Sequence, residues 1–350
     1  MATIKDVARA AGVSVSTVSH ALSGHRPVRD ETRARIFQAI AELGYQPSSA
    51  AQSLVTGRSH TVGILFPLEG GDQGDSRTAS LNTIQLEMIM EANAVVQSRG
   101  YALHLYTQAE DEVALKALCR MCDGLLLATV RLEDPRVEYL MQQDYPFVVL
   151  GRTEHAEGVP WVDTDFEHMI YQQIAHLVER KHREIVFLDR PERLFREHLG
   201  YSVRARHGYE AACKRFGLQP VIYACDVSVE DGRMTMHKIL DAHPTLTALA
   251  AFNDVAAVGA YYALPERGLK VPQDFSVITF TSPGFLRATT PNMTAMNNTG
   301  PLVSQRAAEM LMARLLGEKL TASQVLIKSE LIPGETTNVA PAQRMVSARP

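Results

Sequence analysis

From His60 onward the chain repeats one arrangement: a short, almost wholly apolar run followed by a longer amphipathic stretch. The runs are HTVGILFP (60–67), YALHLYT (101–107), GLLLATV (124–130), FVVLGR (147–152), EIVFLD (184–189), VIYACD (221–226), ALAAFN (248–253) and FSVITFT (275–281). Continuous apolar strands are buried on both faces, which requires parallel sheets covered by helices. Helices are expected over 83–98, 111–122, 166–181, 202–216, 230–242, 254–268 and 301–317. About ten strands in about 280 residues suggest two doubly wound subdomains, whose ligands sit beyond the carboxyl ends of the strands. With two subdomains, the ligand site falls in the cleft between them.

The first sixty residues follow a different rule. TIKDVARAAGVSVSTVSHAL (3–22) reads as two short helices joined by a tight turn. Thr3 and Asp6 fit an [ST]-x-x-[DE] capping pattern. Ile4, Val7, Ala8 and Ala11 recur at helical spacing on one face. Gly12 supplies the left-handed backbone of the turn, Val13 fills the gap, and Ser14 caps the second helix, whose inward positions are Val18 and Leu22. That leaves Val15, Ser16, Thr17, Ser19 and His20 mostly outward, small or short enough for close approach to another surface. A helix-turn-helix lays its second helix in the DNA major groove. Hydroxyls at Ser14, Thr17 and Ser19 suit phosphate contacts. A plain helical hairpin would also give two helices; the Gly-Val-Ser turn with small residues on both sides favours the DNA-binding reading. A third helix opens at Asp30, turns Ile36, Ile40 and Leu43 inward, and stops at Gly44 before Pro47. Ser48–Thr56, SSAAQSLVT, is helix-compatible but too short to be stable alone, and by composition it reads as a linker.

Charge divides the chain in the same place. Residues 1–60 hold seven Lys and Arg against four Asp and Glu, a net of +3, so the remaining 290 carry −7 of the overall −4. A basic headpiece on an acidic body fits a nucleic-acid module attached to something that does not bind nucleic acid. No run of 18 apolar residues is long enough to span a membrane, and the polar, helix-forming start is unlike a secretory signal, so a cytoplasmic protein is expected. Cys119 and Cys122 form a lone C-x-x-C in a helical pattern, without a second pair or the surroundings of a redox motif; with Cys213 and Cys225 they are expected to be reduced structural thiols.

No catalytic set emerges. There is no G-x-S-x-G, no H-E-x-x-H, no G-x-G-x-x-G after the first strand and no phosphate loop ending in G-K-[ST], so neither an enzyme nor a cofactor is expected. His155, His168, His176 and His182 lack metal-ligand spacing, and no metal is expected. The candidate ligand contacts lie at strand ends. The polar loop 68–81, with Asp72, is a plausible lip. Asn253 ends one strand and Asp254 opens the next helix, where it can equally be a cap. Arg204 and Arg206 could fork onto hydroxyls or a carboxylate. Trp161, the sole tryptophan, could stack on a sugar face or simply pack in the core.

IKDVARAAGVSVSTVSHAL, then VRDETRARIFQAIAELGYQP, then AAQSL resemble the lac repressor (LacI/GalR) family of bacterial regulators. The likeness continues more loosely through HREIVFL, FNDVAAVGAYYALPERGLKVPQDFSVITF and SQRAAEMLMARLLGE to about residue 338. The resemblance implies an all-α helix-turn-helix headpiece (1–47), a hinge helix (48–58) and a sensor resembling type I periplasmic binding proteins (59–338), then a tail (339–350). The sensor divides into an N-subdomain (about 60–163 plus 286–320) and a C-subdomain (about 164–283 plus 324–338). It also implies a homodimer on double-stranded operator DNA, a repressor of a sugar or related catabolic operon released by a small polar effector, with a corepressor-dependent regulator or activator binding a non-sugar metabolite as the alternative. Val15, Ser16 and His20 would read bases; Ser14, Thr17 and Ser19 would hold phosphates. Thr3 and Arg29 join the DNA-facing set, and Ala51 and Leu54 would enter the minor groove, Leu54 as a wedge. Asp72, Trp161, Arg204, Arg206, Asn253 and Thr281 form the expected effector set. The sensor departs from the family pattern at Thr281, where an Asp is usual, at Ala205, where an Arg usually precedes the Gly208-Tyr209 pair, and at Phe166 after Asp165. The effector is therefore expected to differ from an ordinary free sugar.

Overall fold

The structure, a computed structural model, describes residues 2–23, 26–45, 58–67, 83–108, 111–155, 157–281, 292–320 and 322–342. The headpiece consists of α1 (Ile4–Ala11), α2 (Val15–Ser23) and α3 (Asp30–Leu43). The Asp6 carboxylate closes the start of α1 by accepting from the Thr3 backbone N–H at 2.9 Å and the Thr3 hydroxyl at 2.7 Å. Gly12 ends α1 at φ +64°, in the left-handed region that glycine enters without a Cβ clash. Val7, Ala8, Ala11, Val18, Ala21, Ile36, Ala39 and Tyr45 form the small core. Leu43, expected inside, is exposed. The face of α3 is centred on Ile36 and Ala39, and Tyr45, beyond the helix end, folds back into the core.

Among the described residues the body contains two six-stranded sheets. The first has the order β11-β5-β4-β3-β1-β2 and is parallel throughout: β1 (Thr61–Leu65), β2 (Ala102–Tyr106), β3 (Gly124–Leu127), β4 (Phe147–Leu150), β5 (Trp161–Thr164) and β11 (Gln324–Ile327). The second has the order β12-β10-β9-β8-β6-β7: β6 (Ile185–Asp189), β7 (Ile222–Ala224), β8 (Ala248–Ala251), β9 (Ser276–Thr281), β10 (Thr294–Asn297) and β12 (Leu331–Ile332), of which only β12 runs antiparallel. Five strands of each sheet repeat the 2-1-3-4-5 order, with the switch point beside the first strand. Helices cover the sheets: α4 (Thr83–Ser98), α5 (Glu112–Met121), α6 (Pro135–Gln142) and α12 (Gly300–Leu316) on the first, α7 (Phe166–Glu179), α8 (Glu192–Arg196), α9 (Gly200–Phe216), α10 (Val229–Ala242) and α11 (Asp254–Glu266) on the second.

Every apolar run forms a strand, one to three residues shorter than expected at its ends. Four strands carry no such run: β5, β10, β11 and β12. WVDT and TAMN mix polar residues into buried positions, and QVLI alternates on a half-exposed edge, so none has a continuous apolar signature. The subdomain boundaries expected at 286 and 324 move as a result. Residues 294–297 pair with β9 in the second sheet, and residues 324–327 pair with β5 in the first. All four cysteines are free thiols, and burial pushes Cys119 up to about 11.

The helix pair α10 and α11 meets through two glycines. A Cβ on Gly259 would lie 1.9 Å from the Val229 carbonyl oxygen, and one on Gly232 would lie 2.1 Å from the Ala256 carbonyl oxygen. Neither obstacle is a side chain that can turn away, so the helices would have to separate. Gly259→Ala is expected to cost on the order of 1–3 kcal/mol despite alanine's better helix propensity. Urea denaturation of the two proteins checks this; equal midpoints would show that the pair tolerates separation.

Candidate functional site

The two sheets present the carboxyl ends of their strands to each other, and a cavity of about 110 Å³ lies between them. Phe66, Ala128–Val130 and Leu150–Arg152 approach from the ends of β1, β3 and β4; Arg190, Phe252 and Phe280 approach from β6, β8 and β9.

Much of the wall is aromatic. Phe166, at the start of α7, meets Phe252 edge-on with centroids 5.6 Å apart and Phe280 at 6.3 Å; Tyr201 stands 6.3 Å from both Phe166 and Phe252. The Arg190 guanidinium lies 5.6 Å from the Tyr201 ring centre and 5.7 Å from that of Phe252, within cation–π range. Polar groups reach the cavity at Gln85, Thr129, Arg152, Asp163, Thr164 and Asn298. Asp163 is buried, and desolvation pushes its carboxyl up to about 6, against the opposing pull of Arg204 and Arg152.

A backbone clasp closes one side. The Leu132 N–H donates to the His198 carbonyl at 2.9 Å, and the Gly200 N–H donates to the Val130 carbonyl at 2.9 Å, joining the segment after β3 to the start of α9. Beyond it lies a second, more polar cavity of about 470 Å³, lined by Arg152, Thr153, Glu154, Trp161, Glu167, Arg204 and neighbouring residues.

The expected effector residues do not converge. Thr281 is buried and donates its hydroxyl to Asp254 at 3.0 Å, while burial raises the Asp254 carboxyl. The side chain of Asn253 caps α11, accepting from the Ala256 N–H at 3.1 Å, and donates to the Asp226 carbonyl at 3.2 Å. Arg204 and Arg206 form no fork: residues two apart on a helix do not face each other. Arg206 grips Asp189 at 2.7 and 3.0 Å and Glu192 at 2.8 and 3.1 Å, with its guanidinium 3.8 Å from the Phe195 ring centre. Trp161 and Arg204 line the second cavity instead of the aromatic one. Asp72 lies outside the described residues. Sequence reasoning missed Arg190, Tyr201, Phe252 and Phe280, although three of these four immediately follow or end an apolar run and were findable by the strand-end rule.

In the headpiece, Ser14, Val15 and Ser16 are exposed at the start of α2, and Thr17, Ser19 and His20 are half-buried. The Ser14 hydroxyl accepts from the Thr17 N–H at 3.2 Å and shares hydrogen bonds with the Ser16 and Thr17 hydroxyls at 2.7 and 2.8 Å. Thr3 and Arg29 are exposed and precede α1 and α3. Ala51 and Leu54, with the whole of 48–57, lie outside the described residues.

Residues 3–48 match the model for bacterial regulatory proteins of the lacI family, and residues 174–337 match that for a periplasmic binding protein-like domain. The HTH-type transcriptional repressor PurR of Photorhabdus laumondii is 31% identical over 356 residues, covering 95% of this chain and 96% of the relative. The HTH-type transcriptional regulator AglR of Rhizobium meliloti is 29% identical over 353 residues, covering 97% and 95%. Among solved structures, a lac repressor dimer bound to operator and the anti-inducer ONPF shares the fold with a TM-score of 0.81 at 23% identity, covering 96% of this chain and 99% of that one.

Asp163 gives this site a pH signature. Its folded value near 6 lies above the ordinary 3.8, so the folded state holds the proton more tightly. The resulting stabilisation is complete below 3.8 and is lost as pH rises through 6. The melting temperature of wild type relative to Asp163→Asn is therefore expected to fall between pH 4 and 6 and to level off above 7. Melting curves across that range check it; a gap independent of pH would contradict the assignment.

Proposed function

The chain belongs to the lacI family of bacterial regulatory proteins, and from that premise we propose that it represses transcription from a near-palindromic operator as a homodimer and releases it on binding a small effector in the aromatic cleft. It is a transcriptional regulator and not an enzyme. Among the described residues no helix is long and apolar enough to cross a membrane, and we place its action in the cytoplasm, where the operator is.

The cleft carries the reading of the ligand. Aromatic rings from both sheets, with Arg190, Gln85, Asp163 and Asn298 among them, suit a flat polar molecule. A sugar derivative fits if its apolar ring face lies on the aromatic wall while its polar edge meets those side chains. The effector switches the protein only by the difference between its affinities for two cleft geometries. A changed subdomain angle at the dimer face separates the two 48–58 segments, the short helices melt, Leu54 leaves the minor groove, and operator affinity falls. In the headpiece Val15, Ser16 and His20 read base edges, and Thr3, Ser14, Thr17, Ser19 and Arg29 hold phosphates, with Ala51 beside Leu54 at the hinge.

Selection of duplexes from a random pool, followed by a gel-shift titration with and without sugars, sugar derivatives, uronates and nucleosides, tests the proposal. The expected result is a near-palindromic duplex released by a compound that also raises the melting temperature, since a ligand at 100 times its Kd adds about 2.7 kcal/mol. A compound that tightens the complex would establish corepression instead, and no preference over random competitor would remove the proposal. Leu54→Ala is expected to weaken operator binding more than tenfold and leave the melting shift with effector unchanged. Equal operator affinity would exclude the wedge.

A further inference from the structure

The second cavity is walled by groups that lack acceptors. Arg204, on α9 of the second sheet's layer, is only 7% exposed, and its Nη1 is buried with no hydrogen-bond partner among the described residues. Burial lowers the Arg204 pKa against the opposing pull of Asp163, Glu167 and Glu154, so the guanidinium is charge-compensated while the hydrogen-bonding capacity of its Nη1 stays unspent. Two more orphans stand with it: the Trp161 indole Nε1 and the Thr153 hydroxyl. A guanidinium and an indole only donate, so the need of this wall is for acceptor oxygens. Arg152 does not supply them and is already committed, 3.3 Å from Asp163 and 3.5 Å from Glu167. The opposite chemistry occupies the rest of the lining: the exposed Glu154 and Glu157 and the half-buried Glu167 are acceptors that would repel a polyanion.

We propose that this cavity is a second ligand site, separate from the aromatic cleft, for a compact hydroxylated monocarboxylate. The carboxylate meets Arg204, reached by rotation of the guanidinium and reinforced by the Trp161 N–H; hydroxyl donors meet the glutamates. At about 470 Å³ the cavity accommodates a six-carbon sugar acid. Its walls come from both sheets' layers: Arg152, Thr153, Glu154, Glu157, Trp161 and Gln324 from the first, Val203, Arg204 and His207 from the second. A ligand here therefore touches both sides of the clasp and biases their relative angle, independently of what fills the aromatic cleft.

The test uses the full-length protein with D-glucuronate as probe, D-glucose as its neutral counterpart and inorganic phosphate as a bare anion, read by calorimetric titration and melting temperature. Glucuronate is expected to bind and raise the melting temperature, with glucose and phosphate at least tenfold weaker. Arg204→Met is expected to bind glucuronate at least tenfold more weakly. If that variant does not fold, Trp161→Phe, which keeps an aromatic ring, though a smaller one, and removes the N–H, is expected to weaken binding severalfold. Arg190→Met, altered only in the aromatic cleft, is expected to keep glucuronate affinity within twofold. The proposal is overturned if glucuronate does not bind, if phosphate binds as well as glucuronate, if both Arg204→Met and Trp161→Phe bind like wild type, or if Arg190→Met loses the response.

Discussion

Two backbone hydrogen bonds across the clasp, Leu132 to His198 and Gly200 to Val130, hold the strand ends of the two sheets opposite each other. Each is worth about 0.5–1.5 kcal/mol net, so the pair matches the 1–3 kcal/mol that typically couples two sites in a regulated protein. That balance suits a switch, because a much stronger clasp could not be undone by the differential affinity of a small ligand. The geometry at the clasp is tight. A Cβ on Gly200 would meet the Arg204 guanidinium at 2.5 Å and the Arg152 carbonyl at 3.2 Å. Thr129 and His198, which flank it in sequence, both adopt positive φ, at 53° and 56°. Local backbone strain of this kind persists only where surrounding packing enforces it.

Behind the aromatic wall three of the polar residues expected to meet a ligand are satisfied within the protein. Arg206 is closed by Asp189 and Glu192, Thr281 by Asp254, and Asn253 by its cap and the Asp226 carbonyl. These residues hold the rings in place and have little bonding capacity left for a ligand. The departures at Ala205 and Phe166 make sense together. Ala205 is fully buried in the same cluster as Phe166, Phe252 and Phe280, so a small side chain at 205 leaves room for rings where a long cation would have stood.

The layered fold was readable from the chain because its signal is local: a strand buried on both faces must be apolar along its length, and eight stretches announce themselves that way. Strands β5, β10 and β11 were invisible because their partners, not their own residues, define them. The same limit applies to the cleft. The rule that ligands gather beyond strand ends located the region, but not the side chains within it. Asn253 and Thr281 occupy strand ends with their polar atoms already spent, and helical phase parts Arg204, which lines the second cavity, from Arg206, which closes on Asp189 and Glu192. The Arg190–Tyr201–Phe252 arrangement joins three elements, and no spacing in a linear chain encodes that meeting. In the headpiece the turn, the cap and most of the core were legible, since all lie within one or two helical turns of each other.

The glycine contacts between α10 and α11 separate what holds the body together from what gives the cleft its chemistry. Gly232 and Gly259 meet main chain on the outer flank of the second sheet, whereas the rings and charges of the cleft hang from strand ends on the inner side. Inheritance can therefore act on the two independently. A lineage is free to exchange one metabolite for another by replacing a handful of side chains around the crevice, while the helix seam that keeps the scaffold standing is left with almost no permitted variation.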